Sequence, residues 1–403
     1  MNTSTVAQDV PVMREPASGS AQYVANTTSY LHALGRLAAG TGPFAVDAER
    51  ASGFRYGNRN YLIQIKREGS GIFLVDPTAF EDLSELNRVM QSDMWIFHAA
   101  TQDIGPLAEQ GLVPPRVFDT EFAARLLGLE RVNLAAVTTH FLGVSLAKEF
   151  SHQDWSTRPL PEAWLNYAAL DVELLVEVAR EETELLREQG KLDWALEEFE
   201  HLRTLPTVPR TDPWRRTSGI QTIRDRRKLA VLRELWLERE KIARTKDISP
   251  SKILPDRAIT QAATILPRTL GGLLSLHDFG GAANRKRAHL WQRAIQRALA
   301  MPTAELPPLR LPASPKAPPI KFWEEKSPLA AKRYEPAKSF VDSLAEEHEL
   351  PIENVVQPKM LRQLVWDSVE GPMDVASYLR ESGAREWQID LVSPTLQSII
   401  DQH

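Results

Sequence analysis

The run at residues 44–50, FAVDAER, sets two carboxylates, Asp47 and Glu49, two positions apart at the end of an apolar segment. An extended strand resolves that conflict. Alternate side chains of a strand point to opposite faces, so Phe44 and Val46 can enter a core while Asp47 and Glu49 share the other side. Adjacent carboxylates repel unless a cation bridges them. The segment therefore predicts a sheet packed on one face and facing something positive on the other; a solvated edge strand is the plainer alternative.

Two further acids sit in similar settings. Asp103 follows the apolar run 94–98 (MWIFH), at the carboxyl end of a predicted strand, where sites in open α/β sheets usually lie. An acid early in a helix is also favoured by the helix dipole alone. Asp171 follows Tyr167 by four residues in NYAALDVELL, so both project from one helix face, as ordinary surface pairs also do. Arg50 is the only cation beside any of these acids, and one guanidinium cannot balance four carboxylates. The chain has no cysteine. Disulfides and thiolate sites are therefore excluded, which fits a reducing cytoplasm. Oxygen-only ligands suit Mg²⁺ or Mn²⁺, and paired ions of that kind act on phosphodiesters.

The 403 residues suggest two to three domains at ~150 residues each. Residues 1–22 are polar with no apolar core, and read as a disordered tail, not a signal peptide. No apolar run approaches ~18 residues, so no membrane span is expected. Over 23–203, strands are expected at 43–50, 61–66, 71–76 and 95–98, with a short one before residue 120. Helices are expected after Thr27 and Thr28 as N-caps, at 82–90, from 102, and at 120–127, 133–142 and 162–188. Early strands followed by strand–helix alternation predict an α/β domain, a mixed sheet flanked by helices. Residues 213–300 read as all helical. Residues 301–325 are a Pro-rich linker, and 326–403 form a second helical domain. The two helical regions share a pattern in which Pro255 and Pro358 open corresponding helices, either a weak repeat or a chance likeness. Residues 211–300 hold 19 Lys/Arg against 8 Asp/Glu, a balance of +11 in a chain of net charge −5. Such a module either faces a polyanion or is simply a solvated basic surface.

FAVDAER, HAATQDIGPL and YAALDVELL resemble the three motifs of the DEDD superfamily of 3′–5′ exonucleases, in the branch with tyrosine four residues before the last Asp. DTEFAARLLG, LAAVTTHFLGVSLAK and DWSTRPLPEAWLNYAALD are similar to the bacterial ribonuclease D family. Residues 213–300 resemble the HRDC domain, a small helical nucleic-acid-binding module, and 326–403 look like a second, divergent copy. The resemblance implies a ribonuclease-H-like α/β fold followed by two HRDC-like domains. It implies two divalent ions, Mg²⁺ or Mn²⁺, held by Asp47, Glu49, Asp103 and Asp171, with Tyr167 orienting the attacking water. Hydrolysis of RNA from its 3′ end to nucleoside 5′-monophosphates is then expected, with tRNA precursors as substrates, in the cytoplasm and without an obligate protein partner.

Other candidate RNA contacts carry open alternatives. His98 and Gln102 flank Asp103 and either meet the terminal nucleotide or, for His98, fill a strand end. Trp155 and Arg158 either stack on and pair with RNA, or in the case of Trp155 pack the loop onto the core. Arg224, Arg226, Arg227 and Lys228, with Arg285, Lys286 and Arg287, are candidate phosphate contacts. Trp214, Trp236 and Trp291 are expected to pack helices. The acidic stretch 342–354 argues against a phosphate-binding surface there and suggests packing against the rest of the molecule. The rival functions are a DNA 3′–5′ exonuclease and a non-catalytic RNA-binding scaffold.

Overall fold

Alternation along the strands builds a two-faced sheet. The computed structural model describes residues 10–17, 19–147, 150, 152–206, 211–310 and 316–402. Strands β1 (Val12–Met13), β2 (Gln22–Val24), β3 (Thr41–Arg50), β4 (Asn60–Glu68), β5 (Gly71–Val75), β6 (Trp95–Phe97), β7 (Val117–Asp119) and β8 (Ser145–Leu146) are joined by helices. Six of them form one sheet in the order β2-β5-β4-β3-β6-β7. The β3–β4 and β4–β5 pairs are antiparallel, and β2, β6 and β7 join in parallel. The sheet is mixed and flanked by helices, as the pattern predicts.

Phe44, Val46 and Ala48 point to one face, where they meet buried side chains of α1 (Thr27–Ala39) and α2 (Ser84–Met90). Ala45, Leu62 and Leu74 point to the other, under α6 (Glu162–Glu173) and α7 (Leu175–Glu188). The remaining helices here are α3 (Ile104–Glu109), α4 (Thr120–Leu126), α5 (Leu134–Leu142) and α8 (Leu192–Thr204).

Several expectations need correction. The cap of α1 is Asn26, which exchanges hydrogen bonds with Ser29, and Thr27 is already helical. The predicted helix at 162–188 is two helices broken at Leu174 (φ −112°, ψ 4°). The supposed tail is structured in its described part: Val12–Met13 pairs with Ser145–Leu146, and Gln22 already belongs to the sheet. Residues 1–9 lie outside the described residues. Helix α8 was not anticipated. Its buried set of Ala195, Glu198, Phe199 and Leu202 includes an acid, so its apolar stripe is thin.

The next unit is helical: α9 (Arg226–Lys246), α10 (Pro250–Ile253), α11 (Asp256–Ile265), α12 (Leu270–Leu274), α13 (Ala282–Lys286) and α14 (Ala288–Ala300). Trp214 and Trp291 are buried in a core of its own, with Trp236 against its rim. The last unit comprises α15 (Trp323–Lys326), α16 (Pro328–Glu347), α17 (Ile352–Val355), α18 (Pro358–Asp367), α19 (Val375–Glu381) and α20 (Glu386–Gln402). Both units contain a long helix, a one-turn helix and a helix opened by proline, with a left-handed residue, Asp247 or Glu349, after the long helix. The Pro-rich stretch is pinned at both ends. Leu306 is buried in the second unit's core and Trp323 in the third's. No described helix is long and apolar enough to cross a membrane.

Candidate active site

Strand β3 carries Asp47 and Glu49 on the face away from Phe44 and Val46, and α6 crosses that face with Tyr167 and Asp171. One carboxylate oxygen from each of Asp47, Glu49 and Asp171 lies within 4.8 Å of the other two. Asp103 arrives from the other side, at the end of a 3₁₀ turn (Ala100–Gln102) after β6. It is 4% exposed, and Arg50 Nη1 donates to it at 2.5 Å. These acids, Tyr167, Arg50, His98 and Gln102 line one cleft of about 490 Å³. Leu134, Ala135, Leu146 and Ala147 also line it. None of those four was singled out by sequence, and Leu146 is held there by the pairing of β8 with β1.

The electrostatics follow from crowding. Burial pushes the Asp47 and Glu49 carboxyls up, and for Glu49 the charges of Asp47 and Asp171 push further. Burial and Asp47 raise Asp103 against the opposing pull of Arg50. Burial, with Asp171, Glu49 and Asp47, also raises the Tyr167 hydroxyl. Across from Asp47 on β4 stands Gln64, fully buried, whose side-chain amide has no hydrogen-bond partner among the described residues. A half-buried set of oxygen donors this closely spaced is suited to a hard divalent cation.

A residue that sequence reasoning missed holds the Asp103 turn. Asp119 is 2% exposed and accepts hydrogen bonds from the amides of Ala99 (3.0 Å), Ala100 (2.9 Å), Glu121 (2.9 Å) and Phe122 (3.3 Å). One carboxylate thus caps α4 and stabilises Ala99 in a left-handed conformation (φ 66°) that a non-glycine residue rarely adopts. The capping pattern Asp-Thr-Glu is visible in sequence. The bonds to a turn about twenty positions earlier are not.

The candidate RNA contacts sort differently. His98 and Gln102 do line the cleft, and His98 Nδ1 is 2.9 Å from Thr120 Oγ1. Trp155 is fully buried, with its ring centroid 5.5 Å from that of Trp164 and 6.5 Å from that of Tyr167. It supports the Tyr167 helix and offers no face to RNA. Arg158 directs its donors to Asp76 and to the carbonyls of Tyr61, Trp155 and Thr157. It is a structural clamp. Arg226 binds the carbonyls of Leu306 and Pro307, and Arg227 those of Ala298 and Met301. These two tie α9 to the end of α14 and the following chain. Arg224, Arg285 and Lys286 are exposed, and Lys228 and Arg287 half-buried. Arg227 meets the carbonyls of Ala298 and Met301 at the C-terminal end of α14, whereas residues 285–287 lead into its first turn. The 224–228 and 285–287 clusters therefore stand at opposite ends of α14, ~20 Å apart along it at 1.5 Å per residue.

Comparison with known proteins places this geometry. Residues 23–186 match the model of a 3′-5′ exonuclease, 228–295 that of the HRDC domain, and 316–400 that of a 3′ to 5′ exonuclease C-terminal domain. The region read as a second HRDC-like copy thus matches a separate model. Ribonuclease D of Nitrobacter hamburgensis is 33% identical over 59% of this chain and 62% of its own length. Across the first three curated relatives the chain spans 54–62% of their length. Ribonuclease D of Jannaschia sp. is 30% identical over 67% of this chain and 72% of that protein. Among solved structures, a protein from Bifidobacterium adolescentis is 38% identical, with TM-score 0.89 over 98% of this chain and all of that one. Escherichia coli RNase D, described as an exoribonuclease involved in structured RNA processing, shares the fold at 23% identity and TM-score 0.70, covering 96% and 100%. With matches to the exonuclease and HRDC models and a 30% identical relative aligned over 72% of its length, the chain belongs to the ribonuclease D family.

Proposed function

We propose that the protein is a metal-dependent 3′→5′ exoribonuclease that releases nucleoside 5′-monophosphates and trims 3′ extensions of structured RNAs such as tRNA precursors in the cytoplasm. The observation that carries this reading is the convergence of Asp47, Glu49 and Asp171 within 4.8 Å, in a cleft that also takes in Asp103 and Tyr167.

Asp47, Glu49, Asp103 and Asp171 would hold two divalent ions, Mg²⁺ or Mn²⁺. When bound, such cations neutralise charge on the scissile phosphate and lower the pKa of the attacking water. The side chains do the rest. Before cations bind, burial and the neighbouring acids Asp171, Glu49 and Asp47 hold the Tyr167 hydroxyl above its ordinary value. On the cleft wall beside these acids, that hydroxyl is placed to orient the attacking water by hydrogen bonding. Glu49 faces the cleft and can accept a hydrogen bond from a terminal ribose hydroxyl, which would confine cleavage to 3′ ends. His98 and Gln102, on the cleft wall, are suited to the terminal nucleotide. The basic helical unit supplies phosphate contacts that hold the RNA body without reading its sequence.

The test uses a 5′-labelled 3′-extended tRNA precursor and a matched single-stranded DNA. Each is incubated with wild type or Asp171→Asn in Mg²⁺, Mn²⁺ or EDTA. A metal-dependent ladder on RNA, absent in the variant, is expected. Preferential loss of DNA would replace the reading with a DNA exonuclease, and binding without cleavage would replace it with a scaffold.

A further inference from the structure

Arg50 was marked by sequence as the one cation among the acids, and no step above uses it. Strict alternation would turn Arg50 away from Asp47 and Glu49, to the face of Ala48. The β3–β4 register slips between Glu49 and Arg50, where Tyr61 is an extra residue on β4, and Arg50 does not follow the alternation. Arg50 lines the same cleft as the acids, and re-aiming one side chain is what a strand irregularity beside a site does. Its Nη1 donates to Asp103 Oδ1 at 2.5 Å and to the Gln102 carbonyl at 2.9 Å. Its Nε and Nη2 make no hydrogen bond among the described residues. Asp103, held this way, stands outside the close set formed by Asp47, Glu49 and Asp171.

We propose that Arg50 is a positioning residue that holds Asp103 before substrate arrives, then releases it to take an RNA phosphate, so that the cation shared with Asp103 binds together with the 3′ end. The inference rests on the reading of the four acids as cation ligands. A cation beside Asp103 would face the guanidinium at close range, and two like charges cannot share one carboxylate without cost. Cation and Arg50 therefore compete. An incoming phosphate gives the planar guanidinium a two-oxygen acceptor that matches its fork. Once Arg50 moves to it, the competitor is gone. By linkage, phosphate raises cation affinity and the cation raises phosphate affinity by the same factor.

Calorimetric titration of the full-length protein with Mn²⁺, with and without a nucleoside 5′-monophosphate, tests this. Wild type should bind one Mn²⁺ well and a second weakly, and the mononucleotide should tighten the second by about 10-fold. Arg50→Gln should bind the second ion about 10-fold more tightly without the mononucleotide and lose the response to it. Arg50→Lys keeps the charge without the fork, so it should give an intermediate shift; it serves if Arg50→Gln does not fold. Equal second-ion affinity in wild type and Arg50→Gln, or no mononucleotide effect on wild type, would overturn the role of Arg50 alone. Absence of stoichiometric Mn²⁺ binding in every form would overturn the ligand reading itself, and this inference with it.

Discussion

The two helical units begin from similar local patterns and end in opposite relations to the catalytic unit. The unit following residue 211 closes its own core around Trp214, Phe279 and Trp291. It meets the sheet domain through the loop after β3. There Tyr56 N and Arg55 reach Asp247 at 3.2 and 3.6 Å, Ser249 N donates to the Phe54 carbonyl, and Lys252 sits over the Phe54 ring. Most of these contacts are polar and lie at the surface. The last unit instead shares one continuous apolar core with the catalytic unit, from Ala45 and Phe199 to Trp387 and Ile400. Trp194 stacks on Trp387 at 4.8 Å, and buried Glu198 accepts from Arg385 and from the Trp387 indole. Lys191 bridges the carbonyls of Leu126 and His348. The difference teaches that a linked helical module can keep a core of its own or fuse into the core of its neighbour. Which it does depends on the surface left open by the neighbouring unit, here the unanticipated α8.

The largest expected effect tests that contrast. Trp387→Ala should cost about 3–5 kcal/mol and lower the calorimetric transition of the catalytic unit as well, since the core is shared. Trp291→Ala should lower a separate transition and leave the catalytic one in place. A single transition lowered equally by both would erase the distinction. The internal clamp of the catalytic unit comes next. Although burial raises it, Asp76 is brought down to about 2 by Arg158, Thr78 and Tyr23. Its folded value lies below its unfolded one, so its stabilisation is full above pH ~4 and is lost as pH falls towards 2. Asp76→Asn should cost about 1.5–3 kcal/mol at pH 7 and flatten the acid limb of a denaturation series. An unchanged acid limb would refute this assignment.

Exposure separates the two basic clusters. Arg285 and Lys286 are both exposed whereas Lys228 is half-buried, so Arg285→Glu with Lys286→Glu should weaken RNA binding more than Arg224→Glu with Lys228→Glu. Each lost phosphate contact should reduce the salt slope by about 0.7 for a single strand. Equal losses would mean that RNA tracks both ends. The smallest effect is expected at the surface junction. Asp247→Ala should change stability by ~0–1 kcal/mol yet increase the radius of gyration in solution scattering as the basic unit loosens. Arg385→Ala at the other junction should destabilise by ~3–5 kcal/mol, leaving Glu198 buried without its charge partner.

The sites were legible to different depths. Asp47, Glu49 and Tyr167/Asp171 could be placed together because period 2 and i, i+4 spacing put each pair on one face of one element. Asp103 could be placed at a strand end, but not its clasp by Arg50, which depends on a bulge that alternation cannot predict. Sequence left Trp155 open between RNA and the core and offered Arg158 to RNA, because an aromatic and a cation in a loop carry no local record of their partners. Their partners Tyr167 and Asp76 lie elsewhere in the chain. The same holds for Arg226 and Arg227, whose carbonyl acceptors are more than seventy residues away.

By itself, the sequence determined most of the element types, the mixed sheet, the acid-bearing strand and helix, and the basic bias of the first helical unit, since these follow from periodicity and charge within short windows. Only the tertiary structure decided which cations are free, which helical unit fuses to the catalytic core, and how Asp119 and Arg50 hold the Asp103 turn. Those outcomes depend on long-range hydrogen bonds and buried surface between segments whose local sequences carry no record of one another.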